Sequence, residues 1–269
     1  MENICIDNIW KRGFEDPDMI KVEEECRIET STNTEKCIKK YKELEQSRAG
    51  NYISSDLMKL VFEKYANNIE FRKKYNLAVS NSAACLANKA FKIAISNPTI
   101  KHCIFVAGAY GSGKSFLIQS LYEKNKEELE ETVVYEGSIT SKAIDEKIDT
   151  AIENGVIPSI IVLNPTLELS MKNIKERAKR IGRDVTKKDC VFVYANIYDA
   201  LKRLKEKYKD ISFVIYNKKT NTPTDLEVST DVEDLNHGSY DTISKEYDEI
   251  NKRIWLIIYR KEHMILYLF

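Results

Sequence analysis

The chain has no surplus of charge. Lysine and arginine total 42 across 269 residues, and aspartate and glutamate also total 42, so no global field draws it to nucleic acid or to an anionic membrane. Long apolar sequence is equally scarce. The most apolar runs, IWLIIY and MILYLF, are interrupted by RKEH, well short of the ~20 apolar residues that a bilayer crossing takes. The opening MENICIDNIWKRG holds no apolar h-region. These shortages predict a soluble, cytoplasmic protein with no membrane and no nucleic-acid partner. Cys5, Cys26, Cys37, Cys85, Cys103 and Cys190 form no C-x-x-C pair and have no histidine at ligand spacing, which predicts free thiols and no zinc site. His102, His237 and His263 are far apart and share no partner pattern. Glycine is sparse as well, nine in all, which makes the clustering of Gly108, Gly111 and Gly113 informative.

What is present is a repeated alternation. The runs CIFVA, TVVYE, SIIVL, SFVIY and IWLIIY are dense in β-branched and aromatic residues, and each is separated from the next by enough sequence for a helix, which predicts a mostly parallel α/β sheet. Within NSAACLANKAFKIAIS, apolar residues at Ala83, Leu86, Ala87, Ala90, Phe91, Ala94 and Ile95 keep helical spacing. Ile144, Ile148, Ala151 and Ile152 mark a crossover helix closed by Asn154-Gly155, and Ile197, Leu201, Leu204 and Tyr208 mark another. NKKTNTPTDLEVSTDVEDLNHGS reads as a long surface loop. Residues 1–48 read as a peripheral, charged, helical extension, and 49–269 as the main domain.

The stretch GAYGSGKS fits G-x-x-x-x-G-K-[ST] and lies directly after CIFVA and before the helix-like SFLIQSLYEK, the context a phosphate-binding loop requires. Gly108, Ala109, Tyr110, Gly111, Ser112, Gly113, Lys114 and Ser115 are therefore the candidate nucleotide-binding residues. The glycines let backbone N–H groups turn inward around a phosphate, and the following helix adds the positive end of its dipole. Lys114 is placed to meet the β- and γ-phosphates and Ser115 to ligate Mg²⁺. The cofactors expected are ATP or GTP, with Mg²⁺. Asn217-Lys218 after SFVIY matches half of the guanine-reading N-K-x-D signature, but Thr220 replaces its aspartate, which disfavours a GTPase.

Two further groups bear on phosphoryl transfer. Glu136 ends an apolar strand run, as an acid that holds a metal-bound water or a substrate hydroxyl does. Arg177, Arg180 and Arg183 stand three apart on an expected helix, so a shared face could fold over a triphosphate. Asp145 and Asp149 are four apart beside lysines and read as solvated helix surface.

Beyond the loop, the chain resembles the zeta-toxin family of P-loop kinases over roughly residues 50–217. The likeness rests on TVVYEGSITS with its following helix ending in ENG, on SIIVLNPTLELS, and on ERAKRIGRDVTK. Glu136-Gly137-Ser138 matches the family's Glu-Gly-Thr, and Gly182, Arg183 and Val185 match its G-R-x-V signature. Family members carry a catalytic aspartate on a strand after the P-loop helix. Here only 16 residues separate Ser115 from Thr132, enough for one helix. NYISSDLMKLVFEKYA, upstream of the loop, looks like the missing unit, with Asp56 in the aspartate's place.

The fold expected is a P-loop kinase-type three-layer α/β/α sandwich with a mostly parallel sheet and a helical N-terminal extension. The activity expected is transfer of a phosphoryl group from a nucleotide triphosphate to a small hydroxyl acceptor, with Lys114, Asp56, Glu136, Arg183, Arg180 and Arg177 as catalytic candidates. The resemblance implies a UDP-activated amino sugar as acceptor and a cognate antitoxin as partner. The alternative is an inactive nucleotide-binding module that acts through a protein partner.

Overall fold

A computed structural model describes residues 2–266 apart from 126, 128 and 223–225, with backbone alone for 254–266. In chain order it contains helices α1 (Pro17–Thr32) and α2 (Thr34–Glu43), strand β1 (Tyr52–Ser54), and helices α3 (Ser55–Met58), α4 (Glu63–Asn67), α5 (Ile69–Tyr75) and α6 (Ser80–Ile95). Strand β2 (His102–Gly108), α7 (Lys114–Lys124), β3 (Thr132–Glu136), α8 (Ala143–Glu153) and β4 (Ile157–Pro165) follow. The chain then forms α9 (Leu167–Ile181), α10 (Lys187–Lys207), β5 (Ser212–Lys218), β6 (Leu226–Ser229) and α11 (Tyr240–Leu266).

The six strands make one sheet in the order β1-β3-β2-β4-β5-β6. The first five in that order run parallel and β6 is antiparallel to β5. Both faces are covered, as a parallel sheet requires. Cys103, Phe105 and Ala107 of β2 face a core shared with Phe91 of α6, Ile148 of α8 and Leu201 of α10, while Val106 packs with Ile118 and Tyr122 of α7 on the other side. The expected α/β architecture is therefore the one observed. Among the described residues, no helix is long and apolar enough to cross a membrane.

Several expectations need correction. IWLIIY is helical, lying inside α11. A six-residue apolar run is compatible with a strand or a packed helix, and Ile243, Tyr247 and Ile250 just upstream continue helical spacing against Leu167, Met171 and Tyr194. The supposed surface loop after β5 contains β6 and a 3-10 turn at Val232–Leu235 with Leu235 buried; its residues 223–225 lie outside those described. Asp145 and Asp149 are not merely solvated. Arg203 donates to both oxygens of Asp145 at 2.6 Å, and Asp149 accepts from Tyr208 at 2.6 Å and from Lys207 at 3.0 Å, tying α8 to α10.

The N-terminal segment is helical as expected but is not peripheral. Cys26, Cys37, Ile38 and Tyr41 are buried in the same core as α6 and the sheet. The Tyr41 hydroxyl donates to the Tyr52 carbonyl at 2.8 Å and accepts from the Ser54 N–H at 3.0 Å, pinning β1 from outside the sheet.

The position of β1 decides the site. It precedes β2 in the chain yet lies beyond β3, with Ser54 in register with Glu136. Asp56, two residues further on, is carried to the sheet end where Glu136 finishes.

Candidate phosphoryl-transfer site

Between β2 and α7 the chain makes a tight loop whose carbonyls are engaged by the protein itself. The Lys114 ammonium donates to the carbonyls of Gly108 at 3.2 Å and Ala109 at 3.0 Å. The Asn173 amide donates to Gly111 O at 2.7 Å, and the Ser170 hydroxyl to Tyr110 O. Gly111 has φ 72°, and a β-carbon there would stand 2.5 Å from the Ser170 carbonyl, so only glycine lets α9 approach. The Ser112 N–H closes the turn on Ala109 O at 3.3 Å. Among the described residues, no acceptor takes up the N–H groups of Gly113, Lys114 and Ser115, and the buried Ser112 hydroxyl has no partner. Donors gathered at a helix N-terminus without acceptors are the chemistry of an oxyanion site.

The acidic side of the site comes from β3. Ser115 Oγ donates to Glu136 Oε2 at 3.4 Å, and the Tyr52 hydroxyl donates to the same oxygen. Burial, reinforced by the charge of Glu136, pushes the Tyr52 phenol far up, so it remains a donor. Among the described residues, no group of three or more His, Cys, Asp or Glu could hold a metal alone. A hydroxyl beside one carboxylate nonetheless suits Mg²⁺, which binds through one or two protein oxygens plus phosphates and water.

Asp56 sits in the first turn of α3, whose N-cap is Ser54, accepting from the Leu57 N–H at 3.4 Å. Capping is thus done by Ser54, and the Asp56 carboxylate is paired with Arg183 and with Lys59, the latter at 3.1 Å. Burial works to raise its pKa, but the charges of Arg183 and Lys59 outweigh that and hold it well below the usual carboxylate range.

The three arginines do not share one helical face as the spacing suggests. Gly182, with φ 73°, caps α9, its N–H bonded to Ala178 O at 3.0 Å. The left-handed turn throws Arg183 out of the helix toward Asp56. Arg177 and Arg183 line a cleft of about 520 Å³ with Asp56, Gly108, Lys114 and Glu136, while Arg180 joins Arg177 on the adjoining side, facing Gly113 and Ser115. Among the described residues, Arg177 Nε is buried without a partner. Burial, with Arg183 as a like charge beside it, lowers the pKa of the Arg177 guanidinium. Burial also lowers that of Lys114, against the opposing charges of Glu136 and Asp56.

Asp56, Gly108, Tyr110, Lys114, Glu136, Arg177 and Arg183 therefore border one cleft, and Gly111, Ser112, Gly113, Ser115 and Arg180 border the one adjoining it. Of the other polar residues weighed, the described histidines and Asn217 do not. His102 is exposed at the start of β2, away from the loop, and His237 pairs with Asn164 at 2.8 Å at the end of β4, where burial lowers its pKa. The side chain of His263 lies outside the described residues. Asn217 bonds Asp234 at 2.8 Å in that network, while the neighbouring Lys218 lies beside Gly113 and lines the adjoining cleft. Sequence reasoning missed Tyr52, Ser170 and Asn173. Each acts across the fold, and no local pattern marks any of them.

A scan of known families finds no matching model, and no curated protein matches the chain.

Proposed function

We propose that this protein is a nucleotide-triphosphate- and Mg²⁺-dependent phosphotransferase of zeta-toxin type, acting on a small hydroxyl acceptor. The observation that carries the reading is the delivery of Asp56 by β1 to the cleft that holds Lys114, Glu136 and Arg183, from a segment that precedes the phosphate loop. A UDP-activated amino sugar as acceptor and a restraining antitoxin rest on the resemblance alone.

In this reading the loop N–H groups and Lys114 hold the β- and γ-phosphates, and Ser115 with Glu136 holds the metal. Mg²⁺ supplies charge neutralisation at the phosphates. Tyr52 fixes the Glu136 carboxylate toward Ser115. The acceptor oxygen forms a bond to the terminal phosphorus while the bond from phosphorus to the bridging oxygen breaks. The nucleoside diphosphate leaves, and the hydroxyl proton passes to Asp56, a step worth about 10² to 10⁴ in rate. Arg177 and Arg183 meet the charge that develops on the transferring group. ADP production that rises when an acceptor is added tests the reading.

The ion pair between Asp56 and Arg183 favours a second reading. A carboxylate bound by two cations is a weak base, as in a nucleotide-binding module that signals through a partner. Tight nucleotide binding with no acceptor-dependent turnover is its signature.

A further inference from the structure

Next to the phosphate cleft, on the α7 side, lies a second cavity of about 470 Å³ that opens on Ser115 and on the Asp56–Arg183 pair. Its outer wall comes from the 3-10 turn at Glu45–Gly50, ahead of the region that resembles any kinase. Three features of the cavity lining are unexplained by packing. Arg48 and Ala49 both hold left-handed backbone, with φ 52° and 57°, ahead of Gly50 at 97°. Two successive non-glycine residues in this region are strained, and such strain persists where the surroundings impose it, commonly at ligand sites. The strained turn sets the Arg48 guanidinium 5.3 Å from the centre of the Tyr122 ring, and among the described residues it meets no carboxylate. Tyr122 is itself 9% exposed, with a buried hydroxyl that has no hydrogen-bond partner among the described residues. Among the described residues, a cation without a carboxylate partner and a hydroxyl without a hydrogen-bond partner thus meet at the edge of this cavity, the two groups an anion would satisfy.

We propose that this cavity is the acceptor subsite, and that Arg48 and Tyr122 select an acceptor carrying an anionic group, a phosphate or a carboxylate. The proposal rests on the phosphotransferase reading for the word acceptor, but not for the anion site itself. The acceptor's hydroxyl end faces Ser115 and Asp56, and its anionic end lies against Arg48. Arg72 also lines the cavity, but its guanidinium is committed to the carbonyls of Tyr65, at 2.6 Å, and Ala66. Glu45 on the same wall sets a limit on how much negative charge the site accepts. The N-terminal segment, pinned to β1 by Tyr41, thereby becomes part of the substrate site.

The test uses inorganic phosphate and the full chain carrying Lys114→Ala, so that the phosphate loop is weakened and no turnover is required. Fluorotyrosine NMR, with the Tyr122 signal assigned through Tyr122→Phe, follows a millimolar phosphate titration. The expected result is a saturable shift of the Tyr122 signal that weakens at least five-fold in Arg48→Gln. Tyr122→Phe, followed through the remaining tyrosine signals, is expected to weaken phosphate binding without lowering Tm, because it removes a buried hydroxyl that lacks a partner. An unmoved Tyr122 signal overturns the proposal, as does a shift that survives Arg48→Gln or one seen only when Lys114 is present. If Arg48→Gln fails to fold, Tyr122→Phe alone decides, and unchanged phosphate affinity in it overturns the proposal. Loss of acceptor-stimulated ADP production in the wild type, with the Tyr122 shift intact, would instead count against the phosphotransferase reading.

Discussion

Arg183 and Asp56 form an ion pair that joins the residue just beyond α9 to the first turn of α3. Asp56 also meets Lys59 at 3.1 Å; in the proposed reading, a phosphoryl group that draws Arg183 away would raise the carboxylate's basicity and so couple substrate arrival to activation of the base.

Asp56→Asn keeps the shape and loses the charge. Turnover is expected to fall by about 10² to 10⁴, with nucleotide affinity measured by calorimetry little changed. The Asp56 side chain is 38% exposed but its partners Lys59 and Arg183 are only 6% and 20% exposed, so losing the carboxylate leaves two partly buried cations unpaired, at an expected stability cost of roughly 1–3 kcal/mol. The sign with pH follows from a folded pKa held below the unfolded value of about 3.9. The contribution of Asp56 to stability is present above that value and lost as pH falls through and below it. Thermal melts from pH 7 to pH 2 check this: the Tm difference between wild type and Asp56→Asn should shrink below about pH 4.

Lys114→Ala removes the cation that bonds Gly108 O and Ala109 O, and turnover should fall below detection while the protein stays folded by circular dichroism. Wild-type ATP affinity together with unchanged turnover in this variant would contradict the phosphate-loop assignment.

Arg183→Lys retains charge but not the planar fork. The expected loss lies in kcat, by about 10³ or more, with a smaller change in KM. Gly182→Ala probes the same residue indirectly. An alanine β-carbon would lie 2.8 Å from the Ile69 carbonyl, at φ 73°, so the turn must shift. Stability should drop by about 1–2 kcal/mol, and kcat should fall with it as Arg183 is displaced.

Glu136→Gln weakens the metal side. The Mg²⁺ concentration for half-maximal turnover should rise at least ten-fold. Tyr52→Phe, which frees Glu136 Oε2 from one donor, should raise it less. Equal Mg²⁺ dependence in all three proteins would remove Glu136 from the metal site.

Local chemistry was legible in the sequence and long-range chemistry was not. GAYGSGKS declares itself because its glycines, lysine and serine act within one turn, and β2 to β5 declare themselves through short β-branched runs. Asp56 was found by a deficit, the shortage of chain between Ser115 and Thr132, which pointed to YISSD upstream. Arg183 was found by its motif but misplaced on a helix, because spacing does not reveal that Gly182 turns left-handed there. Ser170 and Asn173, which hold the loop carbonyls, and Tyr52, which orients Glu136, lie on other elements brought close only by the fold. Arg48 was invisible for the same reason. Its charge lies in a charged segment, and its backbone strain leaves no trace in residue order.

The central claim is that Asp56 serves a phosphoryl transfer begun at the phosphate loop. It is tested most directly by incubating wild type and Asp56→Asn with ATP labelled at the terminal phosphate, Mg²⁺ and a panel of nucleotide sugars and nucleosides, then resolving the labelled products. The account predicts labelled acceptor with the wild type and at least a hundred-fold less with Asp56→Asn at equal nucleotide occupancy. Nucleotide bound by both proteins with no label on any acceptor, or equal label from both, would contradict it.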